Sequence, residues 1–277
     1  MVVLGTGSFA VSDLLAQRLT VGGLPVHKVA WFRYLALAVT IGWLLARGHR
    51  WQTSQRPLLQ AGRSACIVAS ALLFIAGLQY LPVAAATALV FSSPLFVAAL
   101  SVLLLHERVG HARWAWVLLG FVGVMTVAQP RPSSFDPAVL LPIGSSAAWA
   151  AALVMTRLLS TRDSAVTTQT YSCVVGLVLL SALLPLGWVT PLPLQWLQLL
   201  AMAAFWTGAQ WLMVVAFSRG EASGLAPFSY TQLIWAHLLS IVVLQQWPAL
   251  ATLAGTLVIA VAGIGSARTE AAARRAG

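Results

Sequence analysis

Long apolar runs alternate along this chain with short breaks marked by charge, proline or glycine. The apolar segments fall at about 2–20, 28–46, 62–80, 83–105, 112–129, 137–157, 165–187, 194–218, 222–245 and 250–267. Each is near the roughly 20 residues that a helix needs to cross a hydrocarbon core about 30 Å thick. The predicted fold class is therefore an all-α integral membrane protein with ten transmembrane helices. The connections are short, so consecutive helices run antiparallel as neighbours. The longest, from Arg47 to Arg63, is expected to have no structure of its own.

Composition agrees. Of 277 residues 60% are hydrophobic and 8% charged, and the mean hydropathy is +0.87, well outside the usage of soluble domains. No length is left for a soluble domain. The formal charge of +10 does not point to nucleic acid, because the basic residues stand singly between apolar runs. Their distribution reads as topology. One set of alternate connections holds Arg47, Arg50, Arg56, Arg63, Arg108, Arg113, Arg157, Arg162, Arg219, Arg268, Arg274 and Arg275. The opposite set holds Arg18, Lys28 and Arg131. Basic residues near helix ends stay in the cytoplasm, so this imbalance predicts cytoplasmic N- and C-termini in a bacterial inner membrane. The segment after Met1 lacks a basic leader and is read as a retained first helix. Cys66 and Cys173 lie in apolar segments, where a thiol behaves as a small hydrophobe.

A weak internal repeat appears at an offset of 139. It sets Gln17-Arg18-Leu19 on Thr156-Arg157-Leu158, Phe91 on Tyr230, and His106-Glu107 on Gln245-Gln246. The predicted units are residues 1–132 and 133–277, the second ending in a short cytoplasmic tail. An odd number of spans per unit places the two copies in opposite orientations, which is the architecture of alternating access.

The segment AAATALVFSSPLFVAALSVLLLHERV, with Ser93-Pro94 at mid-helix, Glu107 at its end and Gly123 in the helix that follows, resembles the EamA-type repeat of the drug/metabolite transporter superfamily. Gln17-Arg18, Leu24-Pro25 and Arg33 match the opening of that repeat. The second copy departs from the pattern, with Gln246 where glutamate is usual, and in the first copy Trp116 takes a usual glycine position. Within the superfamily the chain is similar to the YddG group, whose members export aromatic amino acids. The resemblance implies a central pathway enclosed by helices 1–4 and 6–9, with helices 5 and 10 at the periphery.

Asp13 is the one acidic residue well inside an apolar segment, and a carboxylate there must be paired or hydrated. At 1.5 Å per residue it lies roughly 9 Å below Leu19, at a depth matching Arg33 on the neighbouring helix. The pair is either an anchor for the ammonium and carboxylate of a zwitterionic solute or a structural salt bridge. Pro94 interrupts helix 4 and, beside Ser92 and Ser93, is a candidate gating hinge. Phe9, Phe91, Trp149, Tyr171, Trp206, Tyr230 and Trp235, with Gln210 and Gln232 as polar anchors, are candidate walls of a pocket for a flat aromatic solute, though each also suits ordinary packing. Gln79 and Tyr80 end helix 3 at the outer face, where they are candidates to line a vestibule. His237 is a candidate proton carrier or a hydrogen-bonded structural histidine. Gly120, Gly123, Gly255 and Gly263 permit close helix approach, inside the chain or between copies. Trp51, Trp188, Trp196 and Trp247 sit at helix ends as an interfacial belt.

The sequence carries no HExxH, GxSxG, P-loop or GxGxxG pattern in its required context. The expectation is a transporter rather than an enzyme, with no cofactor and no metal, a small-molecule substrate, and a monomer or weak homodimer in the bilayer. It exports amino acids, aromatic ones first, by alternating access. The alternatives are a multidrug or other metabolite efflux permease, and a non-transporting assembly subunit or scramblase.

Overall fold

The computed structural model describes residues 1–48, 52–105, 111–129, 136–159, 163–187, 189–219 and 225–276. Among these the regular structure is all helical, joined by short turns, with no strand. The helices are α1 (Val2–Val21), α2 (Val26–Ala46), α3 (Pro57–Gly77), α4 (Val83–Val90), α5 (Ser93–Leu105), α6 (His111–Ala128), α7 (Leu140–Leu159), α8 (Ala165–Leu183), α9 (Pro193–Arg219), α10 (Thr231–Val242) and α11 (Leu250–Ala276). Short 3₁₀ turns at Pro137–Val139 and Ala226–Tyr230 lead into α7 and α10.

Prolines open many of these elements. Pro57 and Pro193 begin α3 and α9, while Pro25 and Pro82 precede α2 and α4. A missing N–H costs nothing in the first helical turn. Between α1 and α2 the chain reverses through Gly23 at φ +89, a conformation open to glycine without strain.

Among the described residues six segments are long and apolar enough to cross a bilayer: Val26–Ala46, Pro57–Gly77, Val83–Leu103, Pro137–Leu159, Val166–Leu183 and Leu250–Thr269; Trp114–Ala128 and Phe228–Val242 are shorter apolar helices. Large hydrophobic side chains such as Leu118, Phe121, Val122, Val178 and Leu257 point outward, as suits a lipid-facing surface and not a water-facing one. Helices α1 and α9 are as long but more polar, carrying Asp13, Gln17 and Arg18 in one and Gln195, Gln198 and Gln210 in the other. They pack against each other.

The packing partners repeat when the halves are exchanged. Helix α3 packs on α7 as α9 packs on α1, and α3 on α8 as α9 on α2. The α4–α5 pair packs on α7 as α10 packs on α1. The remaining major contacts, α2 with α8, α4 with α10 and α6 with α11, join elements at matching places in the two halves. Hydrogen bonds follow the same rule: Thr6 Oγ1 lies 2.7 Å from Thr231 Oγ1, and Ser92 Oγ lies 2.8 Å from Ser146 Oγ. These two hydroxyl pairs exchange under the offset of 139 to within one residue. Contacts along α6 and α11 run from Trp116 with Thr269 to Val127 with Gly255, so the two helices are antiparallel.

Several boundaries correct the sequence expectation. Pro57 starts α3 well before residue 62, which places Arg63 inside the helix rather than in the preceding connection. Segment 83–105 is two helices, with α4 ending in a turn at Phe91–Ser92. The expected C-terminal tail is helical to Ala276, in keeping with its alanine- and arginine-rich sequence. The glycines of α6 and α11 are used internally: a Cβ on Gly255 would lie 2.7 Å from Gly123 O, and one on Gly120 would meet Leu95 and Ala262. Glu107, Trp51 and Trp188 lie outside the described residues, while Trp196 and Trp247 are exposed.

Candidate functional site

Asp13 on α1 and Arg33 on α2 meet as their depths predict, with Arg33 Nη2 donating to Asp13 Oδ1 at 2.9 Å. It is the ion pair found among the described residues, and each residue is only 5% exposed. From α10, Gln232 Nε2 donates to Asp13 Oδ2 at 3.3 Å. Arg33 also donates to Ser12 O at 3.3 Å, while its Nε has no partner among the described residues. An ion pair taken out of water gains little unless its remaining donors and acceptors are satisfied. Here one donor is left over. The arrangement brings together three of the residues expected from the sequence, on three helices, around a buried plus-minus pair with spare hydrogen-bonding capacity.

Phe91 and Tyr230 also meet, with ring centroids 5.2 Å apart and planes inclined by 51°. They are each other's counterparts in the repeat. Both stand at a break in their helices, Phe91 closing α4 and Tyr230 closing the 3₁₀ turn before α10. Ser92 Oγ bonds back to Leu89 O at 2.6 Å and Leu95 N to Ser92 O at 2.9 Å, which takes up backbone groups freed at the break. Pro94 sits in the first turn of α5, where its missing N–H is tolerated. The break therefore lies two to three residues before the proline. Tyr230 fits only because residue 263 is glycine, for a Cβ there would fall inside the tyrosine ring system.

Other candidates scatter. Trp235 packs on Gly7 and its Nε1 donates to Val3 O at 3.2 Å. Trp206 packs against the core formed by α1, α2, α3 and α8. Phe9, Tyr171 and Gln210 are half-buried and make no described hydrogen bond or ring contact with the pair. Trp149 on α7 is 39% exposed and makes no described ring contact with the other candidates. Gln79 is half-buried and Tyr80 66% exposed; Tyr80 borders an open cavity of about 400 Å³ with Asp136, Pro137 and Leu141. His237 is buried, its Nδ1 2.7 Å from Leu233 O in the same helix. Nε2 has no partner among the described residues.

A second polar cluster was missed in the sequence. Arg63 of α3, 8% exposed, donates from Nε to Thr156 Oγ1 at 2.6 Å and from Nη1 to Ser172 Oγ at 2.7 Å. One turn away Gln60 Nε2 donates to Asp163 Oδ2 at 2.7 Å and to Thr168 Oγ1 at 3.1 Å. Ser54 also donates to Asp163. Desolvation raises the Asp163 carboxyl, but hydrogen bonds from Ser54, Gln60 and the Gln55 backbone outweigh it and hold the group below its ordinary range. The signal that would have found the cluster is Pro57, a helix opener that draws Gln60 and Arg63 into the bundle.

The sequence pattern of the EamA-like transporter family matches residues 1–129 and again 136–267. The chain belongs to the EamA-like transporter family. A riboflavin transporter of Vibrio cholerae is 32% identical over 238 residues, 82% of this chain and 78% of the relative. An S-adenosylmethionine uptake transporter of Rickettsia bellii is 25% identical, over 91% of this chain and 87% of its own. A pseudopaline exporter of Pseudomonas aeruginosa is 27% identical, over 98% and 95%. A solved crystal structure shares the fold at a TM-score of 0.64 with 22% identity, covering 98% of this chain and 96% of that one. EamA-like proteins are transporters and not enzymes, so this is a multi-pass membrane protein that moves a small molecule. The relatives do not single out the aromatic amino-acid exporters.

Proposed function

We propose that the chain exports aromatic amino acids and related zwitterions across a bacterial inner membrane, by alternating access between two inverted five-helix repeats. Ten spans, with α4–α5 and the 3₁₀ turn–α10 unit each counted as one, account for the helices described. The observation that carries the proposal is the buried Asp13–Arg33 pair with Gln232 beside it. A zwitterion's carboxylate and ammonium are matched by such a pair, and the leftover Arg33 Nε offers a further donor. The repeated packing partners support two units related by a pseudo-two-fold axis in the membrane plane. With Arg63 moved into α3, the basic residues still divide eleven to three, which supports cytoplasmic termini. The glycine seam between α6 and α11 is filled from within, which supports a monomer.

A second reading has one observation in its favour. The 32% identical relative is named a riboflavin transporter, so a larger flat heterocycle is the competing cargo. Proteoliposomes of the purified protein, tested with labelled phenylalanine, tryptophan, riboflavin, S-adenosylmethionine, alanine and a cationic dye, separate the two. Saturable flux of phenylalanine and tryptophan, well above that of alanine, is expected. Riboflavin flux without phenylalanine flux overturns the proposal. Asp13 and His237 are the candidate proton carriers; under proton antiport Asp13→Asn abolishes the dependence of flux on a pH gradient, and unchanged dependence excludes Asp13.

A further inference from the structure

Arg63 poses a problem that the Asp13–Arg33 site does not. A cation withdrawn from water needs a counter-charge, yet no described carboxylate lies within ion-pair distance of Arg63. Its guanidinium rests on neutral oxygens: the hydroxyls of Thr156 and Ser172 and, at 3.5 Å, the carbonyl of Thr168. Asp163 belongs to the same network but is held apart, engaged by Ser54 and Gln60. Gln60 ties Asp163 to Thr168, whose carbonyl accepts from Arg63. It is fully buried, its Nε2 donates to Asp163 and Thr168, and its Oε1 has no donor among the described residues.

The parts are those of the first site, an aspartate, an arginine and a glutamine, in a different state. There the charges touch. Here they are separated, a cation with exchangeable hydroxyl partners on one side and a carboxylate with an unfilled amide oxygen beside it on the other. Helix alternation sets the two groups in opposite halves of the membrane. Arg63 lies roughly 9 Å along α3 from Pro57, and Asp13 roughly 12 Å along α1 from its far end at Val21.

We infer that Arg63, Gln60 and Asp163 form a second binding station for the α-amino-acid zwitterion, in the opposite half of the membrane from Asp13 and Arg33. The substrate carboxylate takes the guanidinium from Thr156 and Ser172, and the ammonium sits on Asp163 and Gln60 Oε1. On the proposed topology this is the cytoplasmic half, where an exported solute is first captured. The inference rests on the zwitterion reading above.

Equilibrium binding to the full-length protein in detergent tests it, with three probes: phenylalanine, phenylacetate, which keeps only the carboxylate, and phenethylamine, which keeps only the ammonium. Arg63→Gln is expected to weaken phenylalanine and phenylacetate tenfold or more and leave phenethylamine within about twofold. Asp163→Asn is expected to do the reverse for the two fragments. Arg63→Lys, which keeps the buried charge if Arg63→Gln does not fold, should retain phenylacetate within about fivefold. Equal effects on all three probes, or none, while wild-type proteoliposomes still carry phenylalanine, overturn the station alone. A wild type that neither binds the probes nor carries phenylalanine removes the zwitterion reading and the station with it.

Discussion

The two halves of this protein treat the same position in opposite ways. Adding the repeat offset of 139 to Asp13 and Arg33 leads to Ala152 and Ser172, so the second half has lost both charges of the pair. Ser172 nevertheless receives a guanidinium, that of Arg63, which reaches it from α3 of the first half. The repeat has kept a cation at a related place while changing the helix that supplies it. Scaffold contacts, such as the paired hydroxyls of Thr6 with Thr231 and Ser92 with Ser146, repeat faithfully. Charges do not: a packing surface must match its copy, whereas on the proposed function a solute meets the two faces differently.

The largest test of this contrast is to strip one charge from the intact pair. Arg33→Gln leaves the Asp13 carboxylate buried and is expected to cost about 3–5 kcal/mol, read as a fall in unfolding temperature in detergent. Adding Asp13→Asn should restore most of the loss. If the double variant is no better than the single, the pair is not a unit and the contrast between halves fails.

The aromatic contact between Phe91 and Tyr230 is the next largest. Phe91 and Tyr230 are counterparts, but only the tyrosine depends on a glycine, Gly263. Gly263→Ala forces the ring to move and should cost about 1–3 kcal/mol, with Tyr230→Phe partly relieving it. Ser172→Ala removes one hydroxyl from Arg63 and should cost about 1–2 kcal/mol, less than the change at Arg33 because Thr156 remains.

A smaller effect is expected with pH. The hydrogen bonds that lower Asp163 in the folded chain add stability above its ordinary value of 3.8, and this is lost as pH falls through the lower folded value. The stability difference between wild type and Asp163→Asn should therefore be constant near neutrality and shrink below about pH 4, measured by unfolding across an acid series. Smallest of all, Trp149→Leu at an exposed position on α7 should change stability by less than about 0.5 kcal/mol, read as an unchanged unfolding temperature in detergent.

Much of the scaffold was legible in the sequence because hydrocarbon imposes a simple rule on every span. The predicted segments at 112–129 and 250–267 begin within a residue of α6 and α11. The Asp13–Arg33 pair was legible for the same reason, since two charges at one depth in lipid must find each other. Arg63 was not. A basic residue near a helix end looks like a topology marker, and only the proline six residues earlier shows that the helix has already begun. The aromatic wall was legible only in part: Phe91 and Tyr230 meet, whereas Trp149 stands exposed on α7, and spacing alone does not say which helix faces come together.

The close approach of α6 and α11 has a mechanical meaning. Gly123 and Gly255 meet backbone to backbone, with Ile259 and Val127 filling the sides of the contact. Sliding either rod along the other by a turn would drive one of those side chains into a carbonyl. The two halves are thus riveted at this contact, and under the proposed alternating access they swing about that rivet like shears about their pin.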